Sequence, residues 1–384
     1  MSDRAAGKRS VIDRDGLDAL IAALREDGHA VHGPVLRDGA ILHDAIESSA
    51  DLPAGWTEIH EAGRYRVERR EDDALFGFTT GPQSWKRLLH PPEEVLFRAR
   101  RGDEGLVIEA PEKVHPKYAF IGVRACDLRA IAIQDRVFAT APAPDSPYAR
   151  RRDRVFLVAV NCGEAGATCF CASMGTGPRA EAGYDIALTE LLDDGGHRFL
   201  AEAGSERGAG LLARIGGREA TPVDLDAAAR ATQRALQGMG RRLETDGLKE
   251  LLQGNLEHDR WDEVAGRCLA CGNCTMVCPT CFCTTVEDSS DLAGATAERV
   301  RRWDSCFTLD FSHVHGGSVR QSTRARYRQW MTHKLAGWID QFGESGCVGC
   351  GRCITWCPVG IDITEEAAAI RARPRQKEAG DAAD

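Results

Sequence analysis

The sequence predicts an α+β protein, an N-terminal α/β domain followed by a mainly helical, cysteine-rich domain. Two observations carry this. Tyr118–Val123, Leu128–Phe138 and Val155–Val160 read as buried strand, helix and buried strand with short connections, a βαβ unit with a parallel pair. The 15 cysteines of the 384 residues are spread unevenly: none in 1–125, four in 126–171, none in 172–267 and eleven in 268–357. Free structural cysteines would scatter through a core, so this clustering favours ligation.

Length sets the divisions expected: an α/β domain over 1–250, a dicluster domain over 251–371 and a disordered tail over 372–384. The net charge of −9 argues against a nucleic-acid binder. The longest apolar runs are far too short to cross a bilayer, so no membrane partner is expected. Residues 1–10 carry charges of both signs and no apolar core, which is not a secretory signal. The expectation is a cytoplasmic protein, where an odd number of cysteines reads as metal binding and not as a disulfide framework.

Taken along the chain, Leu17–Leu24 has helical spacing, with Asp13 and Asp15 as acidic starts. Tyr65–Arg70 and Leu75–Thr79 have strand character. The βαβ unit follows, with Cys126 and Cys162 at the carboxyl ends of its strands, where open α/β sheets place their sites. Leu225–Leu236 and Leu243–Leu252 show helical apolar spacing, and Ser322–Phe342 reads as one long helix.

The most specific signal is an internal repeat. Cys268-x-x-Cys271-Gly-Asn-Cys274-x-x-x-Cys278-Pro recurs 79 residues later as Cys347-x-x-Cys350-Gly-Arg-Cys353-x-x-x-Cys357-Pro. This is the bacterial ferredoxin run for a [4Fe–4S] cluster, in which three close thiolates reach three corners of one cube. The fourth cysteine of each run crosses to the other cluster in two-cluster proteins. The assignment is therefore Cys268, Cys271, Cys274 and Cys357 for one cluster, and Cys347, Cys350, Cys353 and Cys278 for the other. Gly272 and Gly351 permit the loop conformation. Zinc also uses Cys-x-x-Cys pairs, but three evenly spaced cysteines plus Cys-Pro, twice over, fit it poorly.

A second group, Cys126, Cys162, Cys169 and Cys171, is a candidate third [4Fe–4S] site, with zinc, a reversible dithiol and buried structural thiols as alternatives. Asp127 is a substitute ligand if one of these cysteines points away. Cys281, Cys283 and Cys306 number three, cannot alone close a four-thiolate site, and read as packing behind the clusters, an extra cluster being the lesser alternative. Eight Arg or Lys against two Asp within 299–334 read as a solvated face compensating anionic clusters, or as a docking surface for an acidic partner. Gly175–Ala180 only superficially matches a dinucleotide fingerprint and is expected to be a loop.

Gly122–Leu128, Cys169–Pro178, Cys278–Cys283, Trp303–Cys306, His333-Lys334 and Cys347–Cys353 together resemble the dicluster iron–sulfur subunits of two enzymes. One is the beta subunit of cytosolic NAD(P)-linked [NiFe] hydrogenases (sulfhydrogenases). The other is the iron–sulfur electron-transfer subunit of anaerobic sulfite reductase. The resemblance covers about residues 15–370. It implies an electron carrier without catalytic residues of its own. Its neighbours would be hydrogenase small and large subunits with a flavin- and NAD(P)-binding subunit, or the other sulfite reductase subunits. A stand-alone iron–sulfur oxidoreductase is the third reading. The lack of any nucleotide, nickel or acid–base motif fits the carrier role, for which a hydrogenase complex is the first reading and sulfite reductase the alternative.

Overall fold

The computed structural model describes residues 9–102, 105–109, 116–140 and 145–373. The expected tail from 374 onward, and residues 1–8 of the N-terminal stretch, lie outside the described residues.

An eight-stranded mixed sheet runs in the order Arg218–Glu219, Arg9–Ile12, Gly196–Ala203, Ile186–Asp193, Phe156–Val160, Tyr118–Val123, Ala30–Arg37, Ala40–Ala45. Its four central strands, Ile186–Asp193 to Ala30–Arg37, pair in parallel and the outer ones antiparallel. The expected βαβ unit is present, with helix Ala125–Phe138 joining parallel neighbours. Successive side chains leave a strand on opposite faces. Ala119, Ile121, Val158 and Val160 accordingly pack with Leu17, Leu20, Ile21 and Leu24 of helix Arg14–Glu26. Phe120, Val123, Leu157 and Ala159 turn the other way, onto Leu128 and Ile131. Both faces are covered, which is why these strands read as continuous apolar runs. Asp13 caps the first helix by accepting the N–H of Gly16 at 2.9 Å, a contact worth about 1 kcal/mol.

The C-terminal part gathers helices Leu248–Gly254, Arg260–Arg267, Thr323–Thr332 and Ile363–Ala372 around Trp261, Tyr327, Trp330, Met331 and Leu335. It is not helical throughout. A hairpin, Thr284–Ser290 and Thr296–Trp303, joins strands Glu93–Gly102 and Gly105–Glu109 in a four-stranded sheet, with Val300 opposite Val95. The 68 residues between Cys278 and Cys347 thus hold a β-arm as well as a helix.

Three expected elements differ. Leu75–Thr79 forms no strand, because side chains take its backbone groups: Glu190 accepts the N–H groups of Leu75 and Phe76 at 2.6 and 2.9 Å, and Arg124 donates to the carbonyls of Phe76 and Phe78. Helix Leu248–Gly254 starts five residues later than its apolar spacing suggests, since Gly247 is left-handed (φ 65°) and the N–H of Leu243 goes to Ser173. The long helix 323–342 is interrupted by one π-helical turn, His333–Gly337.

Candidate functional site

The two cysteine runs fold alike. Each passes a left-handed glycine, Gly272 or Gly351 with φ of 76°, into a one-turn helix. In each, the N–H two residues past the first cysteine donates to its sulfur: Ala270 to Cys268 and Gly349 to Cys347, both at 3.4 Å. The N–H of Ile361 does the same for Cys357 at 3.3 Å. The fold brings Cys357 to the loop of Cys268, Cys271 and Cys274, around a cavity walled by Phe307, Tyr327 and Trp330. It brings Cys278 to Cys347, Cys350 and Cys353. The two sets abut, because Cys353 also faces Cys274. Among these eight only Cys271 is exposed.

The N-terminal cysteines converge beside the second set. Helix Ala125–Phe138 brings Cys126 against Cys171 and Cys350, and Cys162, Cys169 and Cys171 neighbour one another. Backbone contacts lock the two loops together: the N–H of Phe170 donates to Gly349 at 2.9 Å and the Thr176 hydroxyl to Val348 at 2.6 Å. The approach is too close for side chains, since a Cβ on Gly351 would stand 2.5 Å from the Thr168 carbonyl. Asp127 is not free to act as a substitute ligand. Arg352, from the second run, holds both its carboxylate oxygens at 2.8 and 3.2 Å, and both residues are buried.

Burial dominates the chemistry of most of these thiols; Cys278 is the exception, lowered by its hydrogen bond with Cys281 and by the Lys334 ammonium. Burial pushes Cys169 and Cys347 up to about 12 and raises Cys162 and Cys350. Such thiols keep their protons until a cation replaces them, so cluster binding releases protons. Among the described residues, no three His, Cys, Asp or Glu side chains are spaced to hold a single metal ion. The donor chemistry, thiol sulfur in both cysteine runs with an aromatic wall beside the first, suits iron–sulfur clusters.

Sequence reasoning treated Lys334 as part of a basic stretch. The π-helical turn instead buries it, with its ammonium donating to Cys278 Sγ at 3.3 Å and Cys281 Sγ at 3.6 Å. A π-turn within a long helix is the structural signal, and such turns are frequent at functional sites. Arg324 and Arg328 pair with Glu257, and Arg324 also with Asp262. That part of the basic stretch is compensated within the chain, as on a solvated helix face.

Residues 267–361 match the 4Fe-4S dicluster domain family. Over 285 residues, 72% of this chain, the sequence is 33% identical to sulfhydrogenase 2 subunit beta of Pyrococcus furiosus, 82% of which is covered. No solved structure gives a significant match. No helix among the described residues is long and apolar enough to cross a membrane. With cysteine runs folded in this way and a relative matched over most of both chains, the protein belongs to the sulfhydrogenase beta-subunit family of iron–sulfur electron-transfer subunits.

Proposed function

We propose that this chain carries electrons inside a cytoplasmic [NiFe] hydrogenase complex, between the small and large catalytic subunits and a flavin- and NAD(P)-binding subunit. Two [4Fe–4S] clusters would do so, one on Cys268, Cys271, Cys274 and Cys357, the other on Cys347, Cys350, Cys353 and Cys278. A third on Cys126, Cys162, Cys169 and Cys171 would extend the relay. The observation that carries the reading is proximity: the three thiol groups follow one another in series, Cys353 near Cys274 and Cys126 near Cys350.

When bound, the clusters supply one-electron steps. The chain's own residues tune and insulate them. The N–H groups of Ala270, Gly349 and Ile361 donate to ligand sulfurs, and hydrogen bonds of this kind, with net charge and exposure, set the potential. Phe307, Tyr327 and Trp330 wall the inner side of the first set, whose Cys271 is exposed. Cys271, beside exposed Leu269 and Val359, marks the point nearest a partner.

The test is the anaerobically purified single chain. It should contain about eight iron atoms on the two ferredoxin-type sets, four per cube, and about four more on the N-terminal set. It should be reducible by dithionite yet neither oxidise hydrogen nor reduce NAD(P). Turnover by the chain alone would refute the carrier role. Cys162→Ser with Cys169→Ser should remove about four iron atoms, and unchanged iron would dismiss the third cluster.

A further inference from the structure

Three cysteines remain outside these sets, and two of them form a pair. Cys283 directly precedes the first strand of the hairpin, and Cys306 lies just past the end of the second. Thr284 pairs with Trp303, and the N–H of Asp304 carries the ladder one step further by donating to the Cys283 carbonyl at 2.9 Å. The chain then turns sharply. The Ser305 hydroxyl accepts the N–H of Phe307 at 3.1 Å and bonds the Thr275 hydroxyl at 2.7 Å. This turn brings Cys306 back over the base of the hairpin, where its N–H and its thiol both donate to the Cys283 sulfur. The third cysteine, Cys281, meets Cys278 instead.

The two sulfurs of the pair are unequal. The hydrogen bond from Cys306 outweighs the burial of Cys283, and the Lys334 ammonium acts in the same sense, so the Cys283 thiol is lowered to about 7. The bond it donates raises Cys306, which keeps its proton. Both residues are half-buried, not sealed in the core. The thiolate is the nucleophile of thiol–disulfide exchange, and the best attacking thiol titrates near the ambient pH. A second thiol already in contact with the first is placed to resolve the mixed disulfide. Every other cysteine belongs to a proposed cluster set, except Cys281, whose sulfur faces a member of one.

We propose that Cys283 and Cys306 are a redox-active dithiol, oxidised to a disulfide by low-molecular-weight disulfides of the glutathione class. The Cys283 thiolate attacks one sulfur of the small disulfide, breaking its S–S bond and releasing one thiolate. Cys306 then gives up its proton and attacks Cys283 Sγ, releasing the second thiolate and forming the Cys283–Cys306 bond. Two protein thiols lose two electrons and two protons, and one small disulfide gains them as two thiols. The new bond ties the base of the β-arm to a turn whose Ser305 holds Thr275, next to Cys274, and whose Phe307 walls the first set. The couple adds a two-electron site to a chain proposed for one-electron steps, goes beyond that reading and needs no partner subunit.

The experiment uses the full chain purified anaerobically and treated with oxidised glutathione. Non-reducing peptide mapping should find a Cys283–Cys306 cross-link that dithiothreitol reverses, with iron content unchanged throughout. Cys306→Ser should trap about one glutathione per chain on Cys283, because the resolving thiol is gone. Cys283→Ser should form neither product, and Cys281→Ser should leave the cross-link intact. Unchanged reduced-state cluster signals in these variants show that they fold. Separate alkylation of Cys283 and Cys306 after the treatment would overturn the proposal. So would a cross-link to Cys281, no glutathione on Cys283 in Cys306→Ser, or iron lost in step with the cross-link. Failure of the cluster reading would look different, as iron absent from the untreated protein.

Discussion

Asp127 and Arg352, 225 residues apart, clasp each other through two hydrogen bonds in the protein interior. One follows a cysteine of the N-terminal group and the other lies between two cysteines of the second run, so the pair fixes one thiol group against the other. Asp127→Ala leaves a guanidinium buried without its anion and should destabilise the protein by about 3–5 kcal/mol. Replacing both, Asp127→Leu with Arg352→Met, should cost clearly less. Thermal unfolding of the cluster-loaded protein checks this. Equal losses would show that the two residues do not act as a unit.

The crossed ligation proposed for the two clusters makes an unusual mutational prediction. Cys278→Ala should disturb the cluster of Cys347, Cys350 and Cys353, and Cys357→Ala that of Cys268, Cys271 and Cys274. Electron paramagnetic resonance of the reduced variants distinguishes the two. Damage confined to each residue's own run would reject the crossed assignment.

Lys334 touches Cys278 Sγ, and a nearby cation favours the more negative, reduced state of a cluster. Lys334→Met should therefore lower the midpoint potential of the second cluster by roughly 60 mV, about tenfold in a one-electron equilibrium. Lys334→Arg should move it less. A redox titration gives the answer, and an unchanged potential would mean that the ammonium serves packing alone.

Burial lowers the pKa of His43, which is stacked on Trp85 at 3.8 Å, to about 3, and lowers that of His90 to about 3 as well. An unfolded histidine titrates near 6.5. The unfolded chain therefore binds protons that the folded one refuses. The stability is fully present above about pH 6.5 and is lost as pH falls toward 3, by about 1.4 kcal/mol per pH unit for each histidine. Denaturant midpoints between pH 6.5 and 5 should fall accordingly, and His43→Phe should flatten the slope by about one proton. A slope that His43→Phe leaves untouched would assign the acid sensitivity elsewhere.

The parts legible in the sequence are those written locally. The cysteine spacing, the Asp13 cap and the βαβ unit each need only a short window, and in each a single physical demand selects the residues. The hairpin Thr284–Ser290 was not legible, because TTVEDSS is polar and exposed along most of its length and lacks the alternation of a half-buried strand. Lys334 was hidden for a related reason: apolar periodicity does not reveal a π-turn, so a lysine on an apparently continuous helix reads as solvated. The Asp127–Arg352 pair joins residues that no window contains. Leu75–Thr79 erred the other way, an apolar run whose backbone is held by Glu190 and Arg124 and not by a neighbouring strand.

The four-stranded arm has a consequence for how the chain is made. Strand Glu93–Gly102 emerges from the ribosome early, but its partner Thr296–Trp303 begins 194 residues later. At roughly 5–20 residues per second, that strand waits about 10–40 s with one edge unpaired. Glu93, Glu94, Arg98, Arg100 and Arg101 along it are the kind of charges that discourage pairing with a neighbouring polypeptide during such a delay. The arm can close only after the first cysteine run and Thr296–Trp303 have been translated, so chains stalled before that strand should expose this edge longest and be the form most prone to aggregate.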